Sequence, residues 1–323
     1  MKKIIYYDFD LTQTAEKNWG PIFDDYSDCL VQIRTELKNI LKQFGVGTFL
    51  AEQIYHTINT NKILYYDEIS YIAKRIGLEI YEILLMQLIY ETSSACTSAV
   101  IKIGTNEFFF RTMDWPLTFL KDITIGLNIK SNNKLIGKVT TWLGYVGFLT
   151  ATNTIDNYTI AINYRRTKEV SIIALAENLH RTISFKWPIG YLVRNIIEKN
   201  CCLYDAKVIL ETSELISPCY VTLYVPNYKT YIITRDCNAK NEVNTRTENL
   251  IQTNCDWNKT EPNILWSLER IKTIRSVQKK IDKTDHTTLK SSDILELLLQ
   301  KPVLNQETIY VHYQYENEYE TFV

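Results

Sequence analysis

The chain has 323 residues, of which 46% are hydrophobic, and this length supports one large globular domain or two small ones. Its 36 basic residues nearly cancel its 37 acidic residues, which excludes a net-charge field that would attract nucleic acid or an anionic membrane. The seven cysteines are odd in number and lack CxxC spacing, so we expect reduced thiols rather than a disulfide framework or a structural zinc site.

The N-terminal sequence MKKIIYYDFDLTQT begins with two lysines, but Asp8 and Asp10 interrupt any apolar core of a signal peptide. We therefore expect no signal peptide and, on the sequence alone, a cytoplasmic location. The longest apolar run, residues 76–91, contains Glu79 and Glu82 and is too short to span a bilayer. This run predicts a buried helix.

The first 95 residues and the rest of the chain differ in periodicity. Apolar residues three or four apart predict helices over 28–44, 49–59, 67–75 and 78–91. Beyond residue 96, β-branched and aromatic runs predict strands over 97–103, 107–111, 122–130, 134–142, 145–151, 158–164, 218–225, 229–235, 248–253 and 307–313. Further helices are predicted over 188–199, 203–213, 264–281 and 291–300. This order indicates an α+β layered domain with mainly antiparallel sheets.

Cys96 lies at the change from helical to strand-like sequence, among the small residues of SSACTSAV. A hairpin turn at 104–106 would return Arg111 and Asp114 to its neighbourhood. None of the four histidines lies in a motif that pairs with a cysteine, which disfavours a Cys–His protease. If the thiol attacked the Ala95 carbonyl and released the bond before Cys96, the freed α-amine, with an ordinary pKa of about 8, would supply the base. The competing interpretation is an inert buried cysteine.

A series of segments resembles, in order, those of the acid ceramidase and N-acylethanolamine-hydrolysing acid amidase family. This family belongs to the choloylglycine hydrolase clan of N-terminal nucleophile hydrolases. The segments are YETSSACTS (90–98), RTMD (111–114), WLGYVGFLTA (142–151), AINYRR (161–166), ITRD (233–236), IQTNCDW (251–257), LERIKT (268–273) and KPVLNQETIYVHY (301–313). Two positions depart from the family pattern: Ala151 replaces a glycine, and Leu268 with Glu269 replaces an acidic pair.

The resemblance implies a role for each matching polar residue. Cys96 would be the nucleophile and, through its freed amine, the base, and Asp114 would hold that amine. Arg111 would orient the thiol and Asp114. Asn254 would donate its side-chain amide to the tetrahedral oxyanion, and Arg270 would complete the network. On local sequence alone, these residues could equally be an ordinary ion pair, a turn former and a solvated helix charge.

Four further residues are weaker candidates for substrate binding. Trp115 and Trp142 accompany family segments and could line an acyl pocket, although bulky aromatic residues are more often part of a core. Asn163 and Arg165 correspond to an N-x-R pattern of the family, and a backbone N–H near Asn163 could assist the oxyanion.

The fold implied is a four-layer αββα sandwich, with residues 1–95 as a helical α-subunit that stays associated after cleavage and 96–323 as the catalytic β-subunit. The implied reaction is hydrolysis of a fatty-acyl amide, an N-acylethanolamine or a ceramide-like lipid, through a thioester, without metal or organic cofactor. Helices of the α-subunit could contact a membrane surface. The family resemblance favours a lysosomal or secreted location, in contrast to the N-terminal sequence.

Two alternatives remain open at this point. The first is bile-salt or penicillin V acylase chemistry on the same scaffold, against which the 95-residue helical leader argues. The second is a catalytically inactive, lipid-binding pseudo-hydrolase, which the departures at Ala151 and at 268–269 keep open.

Overall fold

Two stacked β-sheets organise the chain. A computed structural model describes residues 1–43, 45–57, 60–91, 94–165, 186–238, 243–258, 263–285, 289–316 and 318–323. The strands in these ranges are β1 Tyr6–Asp10, β2 Ala95–Ile103, β3 Asn106–Asp114, β4 Thr124–Ser131, β5 Lys134–Trp142, β6 Thr150–Asn153, β7 Tyr158–Tyr164, β8 Cys219–Tyr224, β9 Tyr231–Arg235, β10 Val243–Arg246, β11 Ile251–Gln252, β12 Thr308–Tyr315 and β13 Glu318–Phe322. One sheet has the order β1-β4-β5-β6-β7-β8-β9-β10, and the other has the order β11-β2-β3-β12-β13.

Helices cover the outer face of each sheet. The described α-helices are α1 Ala15–Asp25, α2 Leu30–Gln43, α3 Gly45–Thr57, α4 Tyr66–Ile76, α5 Ile80–Gln87, α6 Ile189–Glu198, α7 Leu203–Thr212, α8 Ser267–Ile281 and α9 Ser291–Leu298. Helices α6 and α7 pack on the eight-stranded sheet, and α8 packs on β2 of the five-stranded sheet, with α9 beside it. The layers are therefore αββα. Among the described helices, none is long and apolar enough to cross a membrane.

The side-chain alternation of β2 determines which layer each residue faces. Ala99, Ile101 and Ile103 pack in the core beneath α8 and α9, whereas Val100 packs between the sheets. Because side chains alternate along a strand, Cys96 faces the space between the sheets, as Val100 does. Both faces are covered, which explains why the apolar run of β2 is nearly continuous and was recognisable in the sequence.

The N-terminal segment is built into the sandwich rather than helical throughout, which corrects the predicted all-helical leader. Strand β1 pairs in parallel with β4 at the edge of the eight-stranded sheet. The backbone N–H of Lys2 donates to the carbonyl of Val323, and the N–H of Ile4 donates to that of Thr321. The first residues thus contact both sheets.

Other strand boundaries also differ from the predictions. The predicted strand over 145–151 begins only at Thr150. The chain turns before that point, because Gly144 adopts a left-handed conformation with φ of 83° and the Thr141 hydroxyl donates a hydrogen bond to the Gly147 carbonyl. The predicted strand over 248–253 is reduced to the two residues of β11. Strand β13 was not predicted.

A buried ion pair joins the N-terminal segment to α6. The Arg194 guanidinium, 2% exposed, donates to both carboxylate oxygens of Glu68 at 2.5 and 2.9 Å and to Glu198 at 2.6 Å. The indole N–H of Trp19 donates to the same Glu68 carboxylate at 2.7 Å. The Arg194–Glu68 pair crosses between the two predicted subunits, so it is expected to hold the segments together if the chain is cut.

Replacement of Glu68 by glutamine is expected to lower the free energy of unfolding by about 3 kcal/mol, because it removes a charged partner from a buried guanidinium. Urea unfolding measures the change, in chains that also carry Cys96→Ala so that they are expected to stay one polypeptide. Glu320→Gln breaks the exposed pair with Lys3 and is the control, with an expected loss below about 1 kcal/mol. Equal losses in the two variants would contradict the role given to the Arg194 pair.

Candidate active site

The thiol of Cys96 is buried at the start of β2, between the two sheets. Among the residues that the structure describes, two polar groups lie within hydrogen-bonding range of Sγ: Arg111 Nη2 at 3.7 Å and the Tyr90 hydroxyl at 3.7 Å. Arg111 reaches the sulfur because Ser98 is opposite Arg111 in the β2–β3 register, and both strands present these residues to the inter-sheet space. The thiol therefore has a cation beside it.

The Arg111 guanidinium is fixed by acceptors from the opposite sheet. Nη1 donates to the carbonyl of Leu149 at 2.5 Å and to the hydroxyl of Thr150, and Nη2 donates to the carbonyl of Ile162 at 2.7 Å. The ring of Tyr310 packs against the guanidinium, with the Arg111 Cζ 5.2 Å from the ring centroid. These contacts hold the positive charge in one position next to the sulfur.

Asp114 lies on the other face of β3, and Arg270, not Arg111, is the cation next to it. Arg270 Nη1 is 3.6 Å from Asp114 Oδ2, and the Thr308 hydroxyl donates to Oδ1 at 2.6 Å. Burial raises the pKa of Asp114 to about 6, and the charge of Arg270 opposes that rise. Residues three apart in a strand point to opposite faces, so Arg111 and Asp114 lie on different sides of β3, and the expected orientation of Asp114 by Arg111 has no direct contact to support it among the described residues.

Asn254 and Arg270 hold both backbone groups of Cys96. The Cys96 N–H donates to Asn254 Oδ1 at 2.8 Å, and Arg270 Nη2 donates to the same oxygen at 2.9 Å. Arg270 Nη1 donates to the Cys96 carbonyl at 2.7 Å and to the Thr97 hydroxyl at 2.8 Å. In the intact chain, the nitrogen of the Ala95–Cys96 bond therefore donates its hydrogen bond to Asn254. The sequence prediction concerned the cut chain, in which Asp114 was expected to hold the free amine of Cys96.

The side-chain amide of Asn254 is already engaged on the N-terminal side of that bond. Its Nδ2 donates to the carbonyl of Ser94 at 3.2 Å and to the carbonyl of Tyr164 at 2.8 Å. Release of residues 94 and 95 from the site would free one of these donor positions. A freed amide donor is the kind of group that can stabilise an oxygen that develops charge.

Asn163 and Arg165 contact the loop that carries Asn254. Asn163 Nδ2 donates to the carbonyl of Gln252 at 3.0 Å. Arg165 pairs with Asp256 through Nε at 2.8 Å and Nη2 at 3.1 Å, and the Tyr220 hydroxyl donates to the same carboxylate at 2.8 Å. These contacts fix both ends of the loop, which gives the two residues a structural task besides any contact with substrate.

Trp115 and Trp142 form an aromatic cluster with Tyr90 next to an apolar cleft. The ring centroids of the two tryptophans are 5.6 Å apart, and each lies 6.3 Å from that of Tyr90. The cleft has about 40 Å³ of free space and runs between the N-terminal helices and the ends of β4 and β5. Residues that line it include Leu37, Ile40, Ile76, Ile83, Met86, Trp115, Leu120, Ile123, Trp142 and Tyr145.

Sequence reasoning gave no role to Tyr90, although it stands in the YE segment that carried the resemblance. Its hydroxyl is nonetheless as close to Sγ as the guanidinium of Arg111. Among the residues that the structure describes, no group of three or more His, Cys, Asp or Glu side chains is arranged to hold a metal ion.

Glu91 is a second buried carboxyl close to the predicted cleavage point. It accepts hydrogen bonds from the backbone N–H of Ile189, at the start of α6, at 2.7 Å and from the hydroxyl of Ser217. Burial raises the pKa of Glu91 to about 7, against the effect of these two donors. Glu91 therefore binds its proton more tightly in the folded chain than in the unfolded chain.

The stability that this shift contributes is complete below pH 4.5, the ordinary pKa, and is lost as the pH rises through about 7. Between pH 4 and 8, the unfolding free energy of the chain is expected to fall by about 3 kcal/mol relative to that of a Glu91→Gln variant. Urea unfolding at several pH values, in the Cys96→Ala background, measures the difference. Glu296→Gln, at an exposed position of α9, should leave the pH dependence unchanged. Parallel pH profiles for the Glu91→Gln variant and its parent would refute the assignment.

Comparisons with known proteins place this site in context. No protein-family model matches the chain. It is 47% identical over 323 residues to uncharacterized protein R632 of Acanthamoeba polyphaga mimivirus, and the aligned residues make up 98% of each chain. It is 25% identical over 334 residues to acid ceramidase of Rattus norvegicus and 24% identical over 332 residues to that of Homo sapiens, with 94% of this chain and 82% of theirs aligned.

One solved structure supports the architecture. The N-acylethanolamine-hydrolyzing acid amidase ortholog of Caenorhabditis elegans superimposes with a TM-score of 0.56 at 20% sequence identity, over 68% of this chain and 92% of that one. The likeness confirms the predicted αββα sandwich.

Proposed function

The chain belongs to the acid ceramidase and N-acylethanolamine-hydrolysing acid amidase family, and from that premise we propose that it is a self-cleaving cysteine amidase that hydrolyses fatty-acyl amides. Relatives with these names act on lipid amides. The finer proposal concerns this chain: Cys96 is the nucleophile, and cleavage before it supplies the base.

One observation carries the proposal, namely that distant polar residues converge on the two atoms of Cys96 that would react. Arg111 approaches Sγ, Asn254 accepts the hydrogen bond of the backbone nitrogen, and Arg270 bridges Asn254 and the Cys96 carbonyl. A buried guanidinium and a buried carboxamide are costly to desolvate, so their placement at one cysteine favours a chemical role over an inert thiol.

Self-cleavage uses the same thiol. Sγ attacks the Ala95 carbonyl carbon, the bond from that carbon to the Cys96 nitrogen breaks, and the proton lost by the thiol passes to the nitrogen, which becomes an amine. The acyl group is then a thioester on sulfur, and water hydrolyses it to release the Ala95 carboxylate and the free thiol. Asn254 Oδ1 holds the nitrogen throughout, because it accepts from the amide N–H at 2.8 Å and can accept equally from the amine.

Turnover repeats these steps on a substrate. The Cys96 amine takes the thiol proton, Sγ attacks the substrate carbonyl, and the carbonyl oxygen becomes an oxyanion that the freed Nδ2 of Asn254 stabilises. The amine then returns its proton to the leaving nitrogen of the substrate. In the second half, the amine takes a proton from the water that attacks the thioester. The C–S bond then breaks, the fatty acid leaves, and the amine returns the proton to the sulfur. Arg270 and Asp114 fix Asn254 and the backbone of Cys96 during these transfers.

The apolar cleft next to Trp142 supports an acyl-chain substrate. Its lining is almost entirely aliphatic and aromatic, and the N-terminal helices form one wall. A space of about 40 Å³ accommodates only a few water-sized groups, so a fatty chain requires these helices to separate. Apolar residues exposed on the same segment, Val31, Phe49 and Leu64, would face a lipid surface during that opening.

We expect residues 1–95 to remain bound to residues 96–323 after cleavage, as an α/β heterodimer. The pairing of β1 with β4 and the ion pair between Glu68 and Arg194 both join the two parts. Neither interaction depends on the Ala95–Cys96 bond.

Turnover of a panel of amides tests the proposed function. The purified protein is assayed between pH 4 and 8 with a fluorogenic fatty-acyl amide, a fluorescent ceramide and a short-chain penicillin V-type amide. Cys96→Ala protein serves as the blank. Hydrolysis of the fatty-acyl substrates above the blank supports the proposal, whereas preference for the short-chain amide favours the acylase alternative. No hydrolysis of any amide would indicate a lipid-binding pseudo-hydrolase.

A further inference from the structure

Tyr90 brings a hydroxyl from the N-terminal segment to the predicted nucleophile. The residue lies in the 3-10 turn Ile89–Glu91, and its ring is buried beside Trp115 and Trp142. Its hydroxyl donates to the Ile162 carbonyl at 2.8 Å and lies 3.7 Å from Cys96 Sγ. The packing of the ring leaves the hydroxyl little freedom except rotation of its hydrogen.

The Ile162 carbonyl accepts hydrogen bonds from two donors. One is the Tyr90 hydroxyl, and the other is Arg111 Nη2 at 2.7 Å. Both donors also lie 3.7 Å from Cys96 Sγ. A hydroxyl has one hydrogen and two lone pairs, so while its hydrogen points to Ile162 it can accept the hydrogen bond of the thiol.

We propose that Tyr90 is a catalytic residue whose hydroxyl accepts from the Cys96 thiol at rest and rotates to donate to the thiolate once the proton has left. The proposal rests on the proposed function, since the departing proton goes to the Cys96 nitrogen, which is the free α-amine during turnover and the nitrogen of the breaking Ala95–Cys96 bond during self-cleavage. The S–H bond breaks, an N–H bond forms, and the O–H bond of Tyr90 stays intact. Arg111 keeps its bond to the Ile162 carbonyl, so the rotation leaves no buried acceptor unpaired.

The surroundings of the hydroxyl keep it a donor. Burial raises the pKa of Tyr90 well above its ordinary value of 10, and the neighbouring thiol acts in the same direction. The phenol therefore stays protonated when the thiolate forms. When the sulfur becomes a neutral thioester, the hydroxyl can return to Ile162. Hydrogen bonds to charged groups are the stronger ones, so we expect the effect to be about tenfold to a hundredfold in rate.

The test compares Tyr90→Phe with Tyr158→Phe in the full chain. Tyr158 is a matched control because it is also buried and also donates to a backbone carbonyl, that of Cys201, at 2.8 Å. Thiol reactivity is measured as the rate at which iodoacetamide alkylates Cys96 between pH 5 and 9, and mass spectrometry of the peptide that contains Cys96 gives that rate. The rate of self-cleavage and the kcat and KM for a fatty-acyl amide are measured alongside.

For Tyr90→Phe we expect alkylation at pH 7, self-cleavage and kcat each to fall at least about tenfold, with KM within about twofold. Tyr158→Phe should match the wild type in all of them. Wild-type rates in Tyr90→Phe, or equal losses in both variants, would overturn the proposal. If the wild type neither cuts itself nor hydrolyses amides, the proposed function fails, and unequal alkylation of the two variants would still separate Tyr90 from a structural role.

Discussion

Replacement of Cys96 by alanine is expected to leave the chain uncut and to lower fatty-acyl amide hydrolysis by at least about 10⁴-fold. The sulfur performs both reactions in the proposed scheme, so no residual route passes through the site. Intact mass after incubation measures the cleavage, and initial rates with a fluorogenic amide measure the hydrolysis. The fold should be unaffected, because the loss of one buried sulfur costs little packing.

Cys219→Ala is the matched control for this substitution. Cys219 is a buried thiol on β8, and it has no part in the proposed reaction. This variant should cut itself fully and hydrolyse the amide within about twofold of the wild type. Two fragments from Cys96→Ala, or hydrolysis at a wild-type rate, would eliminate Cys96 as the nucleophile.

Asn254→Ala is expected to lower kcat by about 10²- to 10³-fold, the usual consequence of losing one oxyanion donor. Asn254→Asp separates the two tasks of the side chain. Its carboxylate can still accept from the Cys96 nitrogen and from Arg270, but it cannot donate to an oxyanion. We therefore expect the aspartate variant to keep its fold and its KM while it loses kcat to a similar extent.

Steady-state kinetics on cleaved protein measure these parameters, and Asn128→Ala provides the comparison. Asn128 lies on β4 and donates to Asp8 at 3.3 Å, away from Cys96. Its replacement should change kcat by less than about twofold. If Asn254→Ala retained kcat within about threefold of the wild type, stabilisation of the oxyanion would have to come from another donor.

Local sequence predicts the strands whose two faces are both covered. In β2 and β3, apolar side chains pack against the helical layer on one face and against the other sheet on the opposite face. The sequence of each strand therefore contains a nearly continuous apolar run, which predicts a strand. Strands β1 and β13 are short edge strands with charged residues, and their formation depends on pairing with β4 and β12. Such pairing is a tertiary effect that no local pattern contains.

The sequence indicated which residues belong to the candidate site better than it indicated how they are arranged. The order of the family segments pointed to Asn254 and Arg270, and both lie against Cys96. The face of β3 on which a side chain lies determines its neighbours. Arg111 therefore contacts the Cys96 thiol, whereas Arg270 lies next to the Asp114 carboxyl. The contact of Tyr90 with Sγ requires the N-terminal segment to fold over β2, so sequence spacing could not reveal it.

The most direct test of the central claim is the intact mass and N-terminal sequence of the purified chain after incubation between pH 4 and 8. The proposed mechanism predicts two fragments, a new N-terminus at Cys96, and no cleavage in Cys96→Ala protein. A wild-type chain that stays uncut at every pH, or one cut at a different bond with activity retained, would contradict it.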